Sequence, residues 1–281
     1  MNTKPFFFSS LVTFALIVSY LQFKPSKNLI LRFYDIGQGD SSLVTIPNNL
    51  RILIDGGPDS TILNKLGRDI GPINRSLTFG ILTHEHSDHA TGFKEALSYY
   101  KTNSLISSTN ISQFDVYKQY TSRVAVAGDK ITIPSYLHNV TLTVLWPPRE
   151  LKSKNCGNYC FIDPTDLNDT SLVFLLEYGN FKALYLGDVT NKVLETLPDL
   201  GVINVVKVPH QGSAGSFLPE FYKKIKPKYA VIMVGQNNYG HPDLELINFL
   251  KSLGTKVLIT KDIGDIFFKV TGDGEVAVTP D

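Results

Sequence analysis

The stretch Gly80-Ile-Leu-Thr-His-Glu-His-Ser-Asp-His-Ala90 is the part of the sequence that decides the fold. It contains three of the chain's six histidines. The apolar run Phe79–Leu82 predicts a short buried strand that ends where the histidines begin. Because side chains alternate along an extended segment, we expect His84 and His86 to point to the same side.

Asp88 and His89 follow directly and predict the start of a helix, with Ser87 or Asp88 as its N-cap. The stretch therefore places three imidazoles and one carboxylate around a small volume. Neutral imidazole and carboxylate are ligands of zinc, manganese and iron. We interpret His84, His86, Asp88 and His89 as metal ligands.

Further motifs lie on both sides of this stretch. They are Asp35-Ile-Gly-Gln-Gly-Asp40, Leu53-Ile-Asp-Gly-Gly57, Asn168-Asp-Thr-Ser-Leu-Val173, Leu186-Gly-Asp188, Lys207-Val-Pro-His-Gln-Gly-Ser213 and Tyr239-Gly-His-Pro242. With His-x-His-x-Asp-His, their order resembles the metallo-β-lactamase fold superfamily of metal-dependent hydrolases, in the branch of ComEC, a DNA-uptake competence protein. The resemblance spans Leu29 to the C terminus. It implies an α/β fold, the αββα sandwich, in which two mixed sheets are flanked by helices and the metals lie where the sheets meet.

The resemblance also implies two divalent metal ions, zinc or manganese, and a set of ligands. That set is His84, His86, Asp88, His89, Asp169, Asp188 and His210. Asp188 is expected to bridge the two ions. Asp169, or its neighbour Asn168, is expected to complete the first ion's shell where many relatives supply a histidine, and more oxygen ligands favour manganese over zinc. Asp55 is expected to accept from a ligand imidazole and orient it, and Asp40 to shape its loop or support the ligands.

Other residues of the motifs are given roles outside metal binding. His241 is expected to contact phosphate or to act as a general acid, and it can exchange roles with His210. Asp88 is expected to take part in catalysis as well as in metal binding. The branch usually has two adjacent histidines before Gly-Ser, and Gln211 takes the second place here. His138 matches no motif and is predicted to lie on the surface.

Secondary structure is predicted from short apolar runs, helical periodicity and turn residues. Strands are predicted at residues 29–35, 42–46, 51–55, 79–83, 131–133, 140–146, 172–177, 181–186, 203–208, 229–234, 256–259, 266–270 and 275–278. Helices are predicted at residues 61–70, 88–100, 218–224 and 243–253. Lys152–Asp169 is predicted to be a polar loop.

The composition allows a large globular domain, because 43% of the 281 residues are hydrophobic. The net charge of +1 gives no overall attraction to nucleic acid or to an anionic membrane, although it permits a local basic groove. The basic residues nearest the motifs are Lys207, Lys223, Lys224, Lys226 and Lys228. We predict a membrane anchor or signal segment over residues 1–28 and a hydrolase domain over residues 29–281.

The run from Pro5 to Phe23 contains no charged residue, and spanning a bilayer takes about 20 mostly apolar residues. Its end, Ser-Tyr-Leu-Gln-Phe, lacks the small residues of a cleavage site, which favours a retained anchor over a cleaved peptide and a secreted protein. We therefore predict a single-pass protein of the cytoplasmic membrane with an extracytoplasmic hydrolase domain. Cys156 and Cys160 are expected to form a disulfide there, with two free thiols or half a zinc knuckle as alternatives.

The function that follows from the resemblance is a metal-dependent phosphodiesterase or nuclease. It would cleave DNA through a metal-activated water, with the DNA-uptake machinery as a partner. One alternative is hydrolysis of another small or cell-wall substrate, such as a lactam, a thioester or a phosphoester. Another is a non-catalytic domain that binds nucleic acid during uptake. The complete His-x-His-x-Asp-His motif and Asp188 favour catalysis.

Overall fold

The computed structural model describes residues 26–280, apart from 72–73, 103, 112–114, 150–151, 154–159 and 162–165, together with residues 9, 10 and 13. Cys156 lies outside the described residues, and the side chain of Cys160 is not described. The predicted disulfide therefore stays a prediction.

Among the described residues the strands begin at Leu29. In chain order they are β1 (Leu29–Phe33), β2 (Ser42–Ile46), β3 (Leu50–Ile54), β4 (Phe79–Leu82), β5 (Ser104–Ser107), β6 (Thr121–Val124), β7 (Lys130–Ile133), β8 (Val140–Trp146), β9 (Lys152–Ser153), β10 (Cys160–Phe161), β11 (Val173–Tyr178), β12 (Phe181–Tyr185), β13 (Val205–Lys207), β14 (Tyr229–Ile232), β15 (Lys256–Ile259), β16 (Ile266–Val270) and β17 (Val276–Pro280).

The helices are mostly short and lie between these strands. They are α1 (Thr61–Ile70), α2 (Ser87–Tyr99), α3 (Asn191–Thr196), α4 (Pro219–Ile225), α5 (Leu244–Ser252) and α6 (Thr260–Ile263). Short 3₁₀ turns over Leu167–Thr170 and His210–Gly212 carry residues of two of the sequence motifs.

Two large mixed sheets form the body of the molecule. The first has the strand order β17-β16-β1-β2-β3-β4-β5-β6, and the second has the order β15-β14-β13-β12-β11-β8-β7. In the first sheet the pairing changes from antiparallel to parallel at β3, since β3 pairs parallel with β4. In the second it changes at β12, which pairs antiparallel with β11 and parallel with β13. Each sheet therefore has an antiparallel part followed by a parallel part.

The apolar core lies between the two sheets and on their outer faces. Phe33 of the first sheet stacks on Tyr185 of the second with ring centroids 5.7 Å apart, and burial of each such aromatic side chain contributes about 1.5–3 kcal/mol. Helices α1 and α2 cover the first sheet through a cluster that includes Leu66 and Phe93. Helices α3, α4 and α5 cover the second through a cluster that includes Tyr222. The predicted αββα sandwich is confirmed.

Sequence patterns missed β5, β6, α3 and α6, and α3 has only six residues. Strand β6, Thr-Ser-Arg-Val, is an edge strand with no buried residue, so it lacks the apolar alternation that predicts a strand. Strand β5 and helix α6 have only four residues each, which is too short for a periodic signal. The predicted loop before Asp169 contains β9 and β10, which pair as a separate two-stranded sheet.

The membrane prediction requires a correction. Pro5–Phe23, the predicted anchor, lies outside the described residues except for positions 9, 10 and 13. Over the part of the chain that the structure describes, none of the helices has the length and apolar character needed to cross a bilayer. Helix α2, with 13 residues, reaches about 20 Å, whereas the hydrocarbon core is about 30 Å thick. This finding overturns the prediction of a single-pass membrane protein.

Candidate metal centre

The candidate site lies where strand ends of the two sheets meet. The first sheet contributes the segment after β4, from Thr83 to His89. The second contributes Asp188, three residues beyond the end of β12, and the turn His210–Gly212 beyond β13. In both sheets the contributing strands belong to the parallel part, whose carboxyl ends lie on the same edge. The fold thus collects residues that are far apart in the sequence.

The histidines of the central motif are packed against one another. The ring centroid of His84 lies 4.7 Å from that of His86 and 4.2 Å from that of His89. Helix α2 begins at Ser87 with His86 in the N-cap position, so Asp88 and His89 occupy its first turn. His84 and His89 are buried, while His86 and Asp88 are partly exposed.

Two glycines allow helix α2 to lie close to the loop after β3. A Cβ atom at Gly92 would come within 2.0 Å of the carbonyl oxygen of Gly56, so neither position accommodates a side chain without a shift. The backbone N–H of Gly56 donates to the carbonyl of His89 at 2.8 Å. This close contact brings His89 within reach of Asp55.

Asp55 organises the buried side of the site. Its carboxylate accepts from the backbone N–H of Thr83 at 2.8 Å and from the Thr83 hydroxyl at 2.7 Å. Nδ1 of His89 lies 2.9 Å from Asp55 Oδ2. The carboxylate therefore orients the imidazole through Nδ1 and leaves Nε2 for another partner, which is the supporting role predicted for Asp55.

His84 is oriented by two hydroxyl groups. Nδ1 of His84 lies 3.2 Å from Thr83 Oγ1 and 3.3 Å from Ser171 Oγ. Ser171 also accepts from the backbone N–H of Asp188 at 3.0 Å, so one serine ties the two candidate ligands together. Burial holds the pKa of His84 well below its usual value, and the charge of the neighbouring His89 adds a smaller effect in the same direction. The ring of His84 is therefore neutral, as metal ligation requires.

Asp188 faces the imidazole of His89 across 3.1 Å. Burial is the largest single influence on the pKa of Asp188 and raises it, but the charge and hydrogen bond of His89, together with His84 and His210, lower that pKa below its usual value. Burial likewise opposes a charge on His89, yet the carboxylates of Asp188 and Asp55 raise its pKa well above its usual value. A negative carboxylate is thus stabilised at this point by the positive charge beside it.

Lys207 adds a buried cation behind the site. Its ammonium forms an ion pair with Asp40, donates to the carbonyl of Gly187 at 2.8 Å and lies 3.5 Å from Asp188 Oδ1. Lys207 and Asp40 each expose only 3% of their surface. Lys207 therefore neutralises buried carboxylates and does not belong to a basic surface.

The donor atoms fit a divalent cation. Nε2 of His84 is buried, has no hydrogen-bond partner among the described residues and lies 4.0 Å from Asp188 Oδ2. Ligand atoms of one tetrahedral ion, each about 2.1 Å from it, lie about 3.4 Å apart. One potential ligand atom from each of His84, His89 and Asp188 lies within 4.8 Å of the other two. Divalent ions would be held among these three residues, with His86 and Asp88 beside them.

Two predicted ligands are placed differently. Both carboxylate oxygens of Asp169 accept from Thr190, one from its backbone N–H at 2.8 Å and one from its hydroxyl at 3.0 Å. Asp169 therefore holds the loop before α3 and is not brought into the cluster. His210 is partly exposed, and its ring lies 5.5 Å from that of His241. Gln211 is the neighbour that enters the cluster, since its amide donates to Asp188 at 3.2 Å and to Asp88 at 3.4 Å.

The site thus has two parts with different exposure. We call its buried side chains the floor: Asp40, Asp55, His84, His89, Asp188 and Lys207. We call its partly exposed side chains the rim: His86, Asp88, His210 and His241.

Sequence reasoning assigned no role to Thr83, Ser171 and Gln211, and it named Lys207 as a candidate for a basic groove, whereas Lys207 is buried against Asp40. One signal was available, because Lys207 interrupts the apolar run from Ile203 to Val208, and a cation in a buried strand requires a buried partner. The Asn-Asp-x-Ser motif contains Ser171, but only Asn168 and Asp169 of this motif were predicted to act at the site. His138 is exposed, as predicted.

Fold and site together define the class of protein. The sequence profile of the Metallo-beta-lactamase superfamily matches residues 34–236. The chain therefore belongs to this superfamily, as the motifs predicted.

A curated relative agrees with the predicted branch. The chain is 27% identical over 261 residues to ComE operon protein 3 of Bacillus subtilis (strain 168), an alignment that covers 84% of the chain and 32% of the relative. The chain spans about a third of that protein's length. It is thus a ComEC-like homologue within a superfamily of metal-dependent hydrolases.

Solved structures share the fold at low sequence identity. The metallo-beta-lactamase fold protein YhfI from Bacillus subtilis is 14% identical with a TM-score of 0.53, over 89% of this chain and 100% of that one. Igni18, a metallo hydrolase from Ignicoccus hospitalis, is also 14% identical with a TM-score of 0.53, over 90% and 99% of the two chains. Zn(2+)-bound PqqB from Methylobacterium extorquens is 13% identical with a TM-score of 0.51, over 79% and 85%. These similarities concern the fold alone.

Proposed function

We propose that this protein is a metal-dependent phosphodiesterase that cleaves nucleic acid, with DNA as its main substrate. The observation that carries the proposal is the buried imidazole and carboxylate cluster of the floor, which opens onto a rim of partly exposed histidines. A floor of this kind suits divalent cations, and a rim of this kind suits a phosphate group. The ComEC-like branch supports DNA as the substrate and DNA-uptake machinery as the partner.

The rim offers an uncharged hydrogen-bond donor to a phosphate at His241. Burial lowers the pKa of His241, and the neighbouring His210 adds a smaller effect in the same direction. The ring of His241 is therefore neutral near pH 7. A neutral imidazole keeps one N–H that can donate to a phosphate oxygen. This favours phosphate contact over the general-acid role for His241.

A flat aromatic surface lies next to this rim. Tyr239 exposes 76% of its surface, and its ring lies 6.0 Å from that of His241 at an angle of 32°. Exposed aromatic rings are the usual stacking surface for bases of single-stranded nucleic acid. Tyr239 therefore supports a substrate that carries bases beside the phosphate.

Divalent ions, when bound, polarise the phosphorus–oxygen bond and lower the pKa of coordinated water. The protein's own residues hold the ligand side chains in place and balance their charge. Asp55 and Ser171 fix the rings of His89 and His84, and Lys207 balances the charge of Asp40. His210 and His241 of the rim orient the substrate phosphate by hydrogen bonds, and their placement limits which oxygen faces the floor.

An activity panel on the full chain tests the proposal. Labelled DNA and bis-p-nitrophenyl phosphate would be offered with manganese or zinc, and nitrocefin would serve as a comparator lactam. We expect cleavage of both phosphodiesters, and nearly complete loss in Asp188→Asn with an unchanged circular dichroism spectrum. His138→Ala is the control and should stay close to the wild type.

Two outcomes would contradict the proposal. Turnover of nitrocefin with both phosphodiesters intact would make the protein a lactam hydrolase. Binding of DNA without turnover of any substrate, in the presence of stoichiometric metal, would make it a binding domain.

A further inference from the structure

Four side chains surround a single point on the Asp88 side of the floor. Nε2 of His89 lies 3.1 Å from Asp188 Oδ2 and 3.8 Å from Asp88 Oδ2. The terminal amide of Gln211 lies 3.2 Å from Asp188 Oδ2 and 3.4 Å from Asp88 Oδ2. These separations are close to the roughly 3.4 Å between ligand atoms of a tetrahedral ion. The four atoms thus form a closed ring with sides of 3.1 to 3.8 Å, and the amide of Gln211 is one of its corners.

The backbone directs Gln211, and not His210, toward this point. Both residues have left-handed backbone conformations, with φ of 49° for each. Such conformations cost about 1–3 kcal/mol for residues other than glycine and persist where the surroundings impose them. The strained turn leaves Gln211 only 2% exposed, while His210 turns aside to contact His241. The group that faces this point is therefore the amide of Gln211 and not the imidazole of the preceding residue, His210.

A second glutamine supports this placement from behind. Nε2 of Gln38 donates to Gln211 Oε1 at 3.5 Å, and Oε1 of Gln38 accepts from the backbone N–H of Gly235 at 3.2 Å. A Cβ atom at Gly235 would lie 2.4 Å from the carbonyl carbon of Gly37, so the loops touch closely. The amide nitrogen of Gln211 faces the two carboxylates in this arrangement. Rotating the amide end exchanges its nitrogen and oxygen. It gives up the long hydrogen bond from Gln38 and the two hydrogen bonds to the carboxylates, which a cation bound between them and the amide oxygen would replace.

We propose that the side-chain oxygen of Gln211 completes a second metal position, together with Asp88, His89 and Asp188. An amide oxygen suits manganese or magnesium, whereas zinc takes imidazole, thiolate or carboxylate. The two positions of this protein are therefore unequal. The position at His84 and His86 holds zinc, and the position at Gln211 holds a hard cation such as manganese and releases it more readily.

The inference rests on the proposed metal-dependent function, but metal binding can be measured without any turnover. Full-length protein would be titrated with zinc and with manganese, and bound metal would be measured by elemental analysis and by competition with a chelator. We expect the wild type to retain about one zinc ion after desalting and to bind manganese at the second position. Gln211→His should bind a second zinc ion at least about tenfold more tightly than the wild type.

The matched variants separate the two neighbouring residues. Gln211→Leu should lose the second ion and keep the first, and His210→Ala should keep both. Gln211→Glu retains the shape of the side chain and adds an anionic oxygen, so it should bind manganese more tightly. This variant tests the inference if Gln211→Leu does not fold.

Loss of the second ion in His210→Ala but not in Gln211→Leu would overturn the inference. So would tighter binding of the second ion in Gln211→Leu, because the amide would then be competing with the metal. The inference fails as well if Gln211→His binds zinc as the wild type does. If the expected metal pattern is found without phosphodiester cleavage, the proposed function fails and this inference stands.

Discussion

The floor and the rim of the site differ in how firmly the fold holds their side chains. Floor residues are buried, and Asp55, His89 and Lys207 each have at least two polar partners within 3.5 Å. Rim residues are partly exposed, and the rings of His210 and His241 contact each other with their centroids 5.5 Å apart. The floor therefore serves both folding and metal binding, whereas His210 and His241 of the rim are free to serve the substrate. Substitutions in the two parts should separate stability from activity.

The largest expected effect is on stability and concerns Lys207. Lys207→Met leaves the buried carboxylate of Asp40 without its partner, and breaking a buried ion pair in this way costs about 3–5 kcal/mol. Urea unfolding in the presence of a chelator measures the free energy of unfolding without compensation by a cation. Lys228→Met, at an exposed lysine, is the matched control. Equal stabilities of the two variants would show that the floor is not held by this pair.

The next effect is on metal affinity and concerns Asp55. Asp55→Asn retains the shape, but an amide offers one acceptor oxygen where the carboxylate accepts from Thr83 and orients His89. Loss of such a supporting contact lowers metal affinity by about 10–100-fold. Competition with a chelator measures the change. If the affinity stays at the wild-type value, His89 is not oriented by Asp55.

The smallest effect is expected at the rim and concerns Tyr239. Tyr239→Ala removes an exposed ring, and stacking on one base contributes about 1 kcal/mol at the lower end of its range, or about a fivefold rise in KM for DNA. KM for bis-p-nitrophenyl phosphate, the free energy of unfolding and the metal content should not change. A parallel loss for both substrates would show that the ring acts on the site itself and not on the bases.

The sequence predicted most of the fold because its strands have clear apolar patterns. The central motif was also predictable, because three of the chain's six histidines lie in it, and Asp188 was predicted from the resemblance of its Leu-Gly-Asp motif to the superfamily. Asp55 could be placed next to them because its motif follows a strand of the same sheet. The long-range partners were not predictable: Asp169 finds Thr190 through the path of a loop, and no local pattern records that contact.

Sequence patterns could not predict which of two neighbouring residues, His210 or Gln211, enters the cluster. Both lie in one motif, and histidine is the better zinc ligand by residue type. The outcome depends on two successive left-handed residues in the turn after β13, where glycine is the residue that normally adopts such conformations. Neither residue type signals that turn, so a sequence pattern assigns the imidazole to the metal while the backbone presents the amide.

Metal content is the measurement that tests the site most directly. Full-length protein, purified gently with zinc and manganese present, would be analysed for both metals beside Asp188→Asn and His138→Ala. A site in which floor and rim together bind divalent ions predicts at least one metal ion per chain in the wild type and in His138→Ala, with a marked loss in Asp188→Asn. A metal content near zero in the wild type, or equal contents in all three proteins, would contradict it.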